Sequence, residues 1–561
     1  MRLLRVCIDG YRNLKNVEVN FDRDGLTTVI IGQNGSGKSN LIEAIVEVFR
    51  AFDFGEQSQI KFTYDLCYER SGYDVRLTNR SDQPDIPSEF LRPARDDDHP
   101  DKIIIGKKGI GSRKNKIGSN HLPDLIFGYY SGSARGLERR FDGHQARYYD
   151  AIKKERTESE YENASRSRRL FYCRPIHGVL ALLSYLAKPG KDGDVKKLLT
   201  EKLGITGFHS ALAHFKEPSW FNHSNWQKGR SVDQQNAGRG RRTHDKLAEQ
   251  ALDVWGARGP AGNCARALLE QSFHPLTLPG KVVDDYRKKP RTEAQLACFL
   301  RDQKALNSFA KKYDSDKDMF AALEAADISD LFREMIVWVT RTNDASGDIS
   351  FSDLSDGERQ LLMVLGLIRV SRGKEALFLL DEPDTHLNPA WQLTYLDLIS
   401  EWTEIAADED KCQIIMTSHN PLTIAALEAK EVRVMSSDSV GNVTVVRPRI
   451  DPKGLGFAGV LTDVFGLSSS LDKPTQEKID RRNELARADE LSPALAREFG
   501  EIKEELRHLG FLYEERDKLY GEFLKQLDRV ELADVDPLTP EQLRDREQET
   551  RRIVEELLSK K

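Results

Sequence analysis

Cysteine is scarce in this chain of 561 residues. There are six, Cys7, Cys67, Cys173, Cys264, Cys298 and Cys412, and no two form a C-x-x-C pair. That scatter excludes a disulfide framework and a cysteine-built zinc site, and predicts a reducing, cytoplasmic setting. Long apolar runs are lacking too. None approaches the roughly 20 residues that cross a bilayer, so no membrane segment is expected. The opening MRLLRVCIDGYRNL alternates polar and apolar residues where a secretory leader would have an unbroken apolar stretch. Nor is there an excess of positive charge. The 84 Lys and Arg face 90 Asp and Glu, a formal charge of -6, so the whole chain is not a general polyanion binder. What is present, 39% apolar and 31% charged residues, suits a folded chain of two to four domains with much exposed helix.

The densest chemical signal is Gly32-Gln33-Asn34-Gly35-Ser36-Gly37-Lys38-Ser39, which fits G-x-x-x-x-G-K-[ST] without a mismatch. Leu26 to Ile31 reads as a buried β-branched strand, and Lys38 to Phe52 as a helix with apolar residues at Leu41, Ile42, Ile45, Val46 and Phe49. A strand end therefore feeds a helix N-terminus, where exposed backbone N–H groups and the positive end of the helix dipole favour a polyphosphate. Candidate nucleotide contacts are Gly32, Asn34, Gly35, Ser36, Gly37, Lys38, Ser39 and Asn40. Lys38 is placed to reach the β- and γ-phosphates, and Ser39 to ligate Mg²⁺.

A second group of motifs lies some 320 residues downstream. Leu354-Ser355-Asp356-Gly357-Glu358-Arg359-Gln360 opens a helix, with Ser355 as N-cap and Glu358 three residues on, a capping box. By itself this is equally a well-capped helix and nothing more. Ala376 to Leu380 is an apolar strand that ends in Asp381-Glu382-Pro383. Asp381 can hold Mg²⁺, and Glu382 can polarise an attacking water. Asp384 to Pro389 (DTHLNP) follows. Cys412 to Met416 is another buried strand, leading into Thr417-Ser418-His419-Asn420-Pro421.

In this order the motifs resemble the ABC-type ATPase heads of RecF, Rad50 and SMC proteins: phosphate loop, signature (LSDGERQ), Walker B strand (ALFLLDE), D-loop (DTHLNP) and switch histidine (His419). The N-terminal pattern of a strand, YRNL, V-x-V-x-F and the phosphate loop is similar too. Within that group LSDGERQ, DEPDTHLNP and TSHNP look most like the compact AAA-type ATPases of bacterial antiviral defence. These include the OLD family and the ATPase subunits of Septu and retron-linked ATPase–nuclease pairs. The resemblance covers about 1–130 and 345–450. It implies catalytic roles for Glu382, His419 and Lys38, and Mg²⁺ held by Ser39 and Asp381. It further implies a head-to-tail homodimer, open to higher assembly, in which Ser355, Gly357 and Glu358 of one subunit close over the triphosphate of the other. Arg12, in YRNL, is a candidate nucleotide contact by resemblance; a turn arginine in solvent fits equally. No Q-loop stands out beyond Gln57 and Gln59.

The fold class expected is α/β, an ABC/SMC-type P-loop head with a mixed sheet and a flanking antiparallel sheet. Its predicted parts are an N-terminal half (1–134), a helical insertion (135–344), a C-terminal half (345–450) and a helical C-terminal region (451–561). The first half adds a hairpin around Arg70-Ser71-Gly72 and strands at Lys102 to Gly106 and Asp124 to Tyr130. In the insertion, helical periodicity is read over Leu170 to Ala187, Val195 to Leu203, Lys246 to Trp255 and Gln295 to Phe320. Basic clusters lie at Lys107, Lys108, Arg113, Lys114 and Lys116; at Arg166, Arg168 and Arg169; at Arg239, Arg241 and Arg242, near Trp220, Phe221 and Trp226; and at Arg287, Lys288, Lys289 and Arg291. They fit nucleic-acid contact and ordinary solvated faces alike. The charged tail from Pro474, broken by Pro537 and Pro540, either docks a partner or caps the ATPase. The acidic strand motifs of a Toprim nuclease are not read in it, and no H-N-H or D…E-x-K nuclease site is expected in the chain. The expected function is an ATPase that controls a separate nuclease subunit in antiviral defence. The alternative is a RecF- or Rad50-like DNA-binding repair ATPase. A membrane partner is not expected.

Overall fold

Five consecutive β-branched residues, Thr27 to Ile31, form strand β3 (Thr27–Gly32), as their restricted side chains favour. In the computed structural model β3 belongs to a seven-stranded sheet with β7 (Leu125–Tyr130), β8 (Leu170–Tyr172), β14 (Ala376–Asp381), β15 (Cys412–Thr417), β16 (Val432–Ser437) and β17 (Val443–Val446). The order is β17-β16-β3-β15-β14-β7-β8, all parallel except β17. The structure describes residues 1–80, 89–93, 121–132, 134–152, 157, 159–161, 164, 168–188, 194–222, 243–282, 287, 289–370, 374–403, 412–438, 441–467, 471–487, 492–509 and 552. The strand expected at Lys102 to Gly106, the clusters at 107–116 and 239–242, Trp226, Pro537 and Pro540 lie outside these.

The parallel strands are apolar on both faces, as strands covered from two sides must be. Val29 and Ile31 join one core with Phe378, Leu380, Ile414 and Met416. Ile30 joins the other with Leu377, Leu379 and Ile415. On the second face lie helix α1 (Lys38–Phe54) and an antiparallel sheet, order β2-β1-β4-β5-β6, formed by β1 (Arg2–Asp9), β2 (Val17–Asn20), β4 (Thr63–Arg70), β5 (Tyr73–Thr78) and β6 (Glu89–Pro93). The hairpin expected around Ser71 and Gly72 is the β4–β5 turn.

The middle segment departs from the helical reading of 135–344. Helix α2 (Glu138–Ile152) and β8 are followed by helix α3 (Pro175–Ala187). Five strands then form a second antiparallel sheet: β9 (Ile205–Lys216), β10 (Leu276–Val282), β11 (Arg291–Leu300), β12 (Phe332–Arg341) and β13 (Asp344–Ser350), in the order β10-β11-β9-β12-β13. The expected helix over Gln295 to Phe320 is β11 followed by two helices, Gln303–Ala310 and Asp316–Ile328. In β11 the buried residues Ala294, Leu296, Cys298 and Leu300 recur every second position. Ala and Leu favour helices, but pairing with β9 and β10 on both sides outweighs that weak preference. Leu170 to Ala187 likewise divides, because Pro175 starts a helix and cannot continue one.

Helix α4 (Asp356–Val370) crosses α3 closely: Tyr185 donates to the carbonyl of Gly366 at 2.7 Å. Contacts divide the chain into Met1–Phe465 and Gly466–Lys561. The boundary expected at 451 therefore moves to 466, because Val460 and Val464 bury their side chains in the first unit's core. The described part of the second unit is an antiparallel pair of helices, Lys473–Arg487 and Pro493–His508, tied by Arg481–Glu498 at 2.7 Å and Lys478–Glu505 at 2.5 Å. No described helix is long and apolar enough to cross a membrane.

Candidate functional site

Register brings the chemistry together. Asp381, the last residue of β14, pairs with Thr417 on one side and Tyr130 on the other, while Thr417 pairs with Ile30 just before the phosphate loop. The carboxyl ends of four parallel strands are thus level, the usual ligand-binding edge of such sheets. Gly32 permits a close approach that no other residue could make, since a Cβ there would lie 2.0 Å from the Met435 carbonyl oxygen. Gly37 turns the chain into α1 in the left-handed region, φ +104°.

Lys38 is buried at the start of α1. Its Nζ donates to the carbonyls of Gly32 at 2.9 Å and Gln33 at 3.1 Å. Burial pushes its ammonium down to about 8, against the pull of Glu382 and Asp381. Ser39 hydrogen-bonds Asp381, and Thr417 Oγ1 donates to Asp381 Oδ1 at 2.5 Å. Burial raises the Asp381 carboxyl, partly offset by those two hydroxyls. Glu382 is held in the left-handed region at φ +52°, a strain of about 1–3 kcal/mol. Its N–H donates to Thr417 Oγ1 at 3.0 Å, and its carboxylate meets His419 Nε2 at 2.9 Å. Burial and the Lys38 charge lower the His419 imidazole. Lys38, Ser39, Asp381, Glu382 and His419 therefore share one site.

The D-loop is anchored from below. Buried Asp384 accepts from Ser418 Oγ and Thr423 Oγ1, each at 2.6 Å. Asn34 and Gly35 are exposed on the loop. Arg12 adopts φ +52°, donates to Asn40 Oδ1 at 2.7 Å and pairs with Glu43 at 2.8 Å, alongside α1. The signature residues open α4. Gly357 lies against the D-loop, where a Cβ would sit 2.6 Å from the His386 carbonyl oxygen. The bonds of Ser355 and Glu358 run to each other and to Arg341.

Two expectations are corrected. Gln57 and Gln59 form a short turn beyond the C-terminal end of α1. At 1.5 Å per residue its 17 residues put them about 25 Å from the phosphate loop, too far for a Q-loop role. Arg168 and Arg169 are not an open basic patch. Arg168 pairs with Glu324 at 2.7 Å, both buried, and Arg169 donates to the carbonyls of Leu122 and Pro123 and pairs with Asp53 at 3.2 Å.

Sequence reasoning missed several residues here. Asn13 Nδ2 donates to the Gly35 carbonyl at 2.8 Å and clamps the phosphate loop. Thr417 stood in the quoted TSHNP stretch, but its bond to Asp381 needs the pairing of β14 with β15. Tyr130 ends β7 and Ser131 follows it. Ser131 N–H donates to the Asp381 carbonyl at 3.2 Å, and its hydroxyl reaches Thr385 at 3.3 Å. Burial, then Asp381 and Glu382, raise the Tyr130 phenol. Only the position of β7 beside β14 reveals them.

The donor set suits a magnesium nucleotide. Ser39 and Asp381 are hard oxygen ligands of the kind Mg²⁺ prefers, and the hydroxyl of Ser36, buried in the loop, has no hydrogen-bond partner among the described residues. The Lys38 shift supplies a prediction. A triphosphate would restore the full charge, so at pH 8 binding should take up about half a proton, and at pH 6.5 almost none. Calorimetry in two buffers of different ionisation enthalpy measures this; no uptake at pH 8 would contradict it. Because the unfolded lysine keeps its proton to about 10.5 and the folded one only to about 8, the nucleotide-free protein gains stability as pH rises through that window.

Two family models match the two halves of the site. "AAA ATPase domain" covers residues 1–169, with the phosphate loop, and "AAA domain, putative AbiEii toxin, Type IV TA system" covers residues 267–425, with the later motifs. Septu protein PtuA of Bacillus thuringiensis is 29% identical over 169 residues, 24% of this chain and 40% of that protein. PtuA of Bacillus mycoides (strain KBAB4) is 28% identical over 120 residues, 20% of this chain and 16% of that protein. The chain thus spans less than half of the length of these relatives. Among solved structures, the SMC head domain from Thermotoga maritima is 13% identical, covering 80% of this chain and 100% of its own, at a TM-score of 0.28. The recombination mediator protein RecF with ATP is 12% identical, covering 75% and 92%, at 0.22. At these scores they add nothing to an assignment that rests on the motifs, the strand order and the two family models. The chain carries two AAA ATPase domain matches on an ABC/SMC-type P-loop fold, and is similar in part to Septu protein PtuA.

Proposed function

We propose that this chain binds and hydrolyses Mg²⁺-ATP in a head-to-tail cytoplasmic homodimer, and that the cycle controls a separate effector nuclease in antiviral defence. The observation that carries the ATPase reading is the site in which Lys38 and Ser39 from the phosphate loop meet Asp381, Glu382 and His419. The phosphate-loop amides and Lys38 bind and orient the triphosphate. Mg²⁺, held by Ser39 and Asp381, would neutralise charge developing on the phosphate oxygens. Glu382 takes the proton of the attacking water, and its strained backbone and contact with His419 aim the carboxylate. His419 senses the γ-phosphate. The D-loop, rooted through Asp384, joins this site to the signature helix at Gly357. Ser355 and the N-terminus of α4 then serve the triphosphate of the other subunit, so ATP acts as a glue and hydrolysis as a release.

Control of a separate nuclease is supported by the partial similarity to PtuA and by a helical unit after residue 465 that offers a place for a partner. The DNA-repair alternative rested on basic clusters. Two of those arginines, Arg168 and Arg169, are engaged inside the fold. The test is tagged co-expression with the products of adjacent genes. A nuclease subunit should co-purify and its activity should depend on nucleotide; nuclease activity from this chain alone would contradict the reading.

A further inference from the structure

The capping box at the signature has a third member that lies outside the motif. Ser355 N–H and Oγ donate to Glu358 Oε2 at 2.8 and 2.9 Å, and Glu358 N–H returns a bond to Ser355 Oγ at 3.3 Å. The other carboxylate oxygen, Oε1, accepts from Arg341 Nη2 at 2.5 Å. That same nitrogen donates to the Leu203 carbonyl at 2.7 Å. Arg341 is the last residue of β12, and Leu203 stands two residues before β9, with which β12 pairs up to Arg341 and Ile205. The sheet of the middle segment thus grips the first turn of α4. The Glu358 side chain is 13% exposed and that of Arg341 29%, so the pair is poorly screened.

The charge balance at this turn decides what it can bind. A helix N-terminus attracts phosphate, but a half-buried carboxylate in its first turn cancels that attraction and repels a second anion. The hydroxyl proton of Ser355 is also committed to that carboxylate. A guanidinium on the far oxygen draws charge away from the serine and offsets the repulsion.

We propose that Arg341 is a positioning residue for the signature: by neutralising Glu358 it lets the α4 N-terminus accept the neighbouring subunit's triphosphate, and through Leu203 it makes that competence depend on the middle-segment sheet. This inference rests on the two-subunit ATP reading above.

The test is a double-mutant cycle in a Glu382→Gln background, reading by sedimentation the ATP concentration that half-dimerises the chain. Arg341→Gln is expected to raise that concentration about tenfold or more when Glu358 is present, and less than about threefold when Glu358 is glutamine. The uncharged amide can still cap Ser355, so loss of the Arg341 effect isolates charge from packing. A large effect that persists in both backgrounds would show that Arg341 merely supports the Leu203 turn, and overturns the inference. So does Arg341→Gln dimerising like its parent. A parent that ignores ATP removes the two-subunit reading first, and this inference with it.

Discussion

Glu382→Gln is expected to lower ATP turnover by about 100-fold or more, the usual contribution of a general base, while ATP still binds. The reason is local and specific. Glu382 stands one residue beyond Asp381 in a left-handed conformation that Thr417 pins through the backbone N–H, and its carboxylate faces His419. Glutamine keeps the volume and can still accept from His419, but it cannot take a proton from water. The phosphate loop, Lys38, Ser39 and Asp381 are untouched, so affinity should persist. With hydrolysis blocked, the glue outlasts the release, and ATP should convert the variant from monomer to stable dimer. Phosphate release measures the first effect and sedimentation with and without ATP the second. Native turnover in the variant would remove Glu382 from catalysis. Association that ignores ATP would overturn the head-to-tail dimer.

Arg168→Ala should destabilise the first unit by about 3–5 kcal/mol, the loss typical of breaking a buried ion pair from one side. Arg168 and Glu324 are both nearly enclosed, 2.7 Å apart, and the guanidinium also lies 4.7 Å from the centre of the Phe171 ring. Alanine leaves the Glu324 carboxylate buried without that cation. Replacing both members, Arg168→Met with Glu324→Leu, should recover most of the loss, because apolar pairs of similar volume often substitute well. Denaturant midpoints of the full chain measure both. A mild Arg168→Ala whose nucleic-acid affinity falls would instead return this arginine to the basic-patch reading.

How much of the site could be read from the chain followed from how far each contact reaches. The phosphate loop is one contiguous stretch, and its needs are those of a strand end, two turns and a helix start. Asp381, Glu382 and His419 each follow an apolar strand directly, so their placement at strand ends was legible as well. Asn13 and Tyr130 were not, because each acts on a residue far along the chain: Gly35 across 22 positions, and Asp381 through a neighbouring strand. The second sheet was misread for a similar reason. Strand β11 carries a period-two pattern, but Ala294, Leu296 and Ala297 are ordinary helix formers. The partners that decide the matter are β10, about 15 positions before it, and β9, about 80 before it, both outside any local window.

The sequence by itself determined the residue types that the proposed chemistry needs: a phosphate-loop motif, two carboxylates at one strand end, a histidine at another and a capped helix, because each needs only residues within one turn or strand end. Tertiary structure alone decided which of these meet. The strand order β3-β15-β14-β7 sets Thr417 between Lys38's loop and Asp381, and the pairing of β9 with β12 delivers Arg341 to Glu358. Those choices depend on burying both faces of a parallel sheet and satisfying the edges of an antiparallel one, which no local stretch of chain encodes.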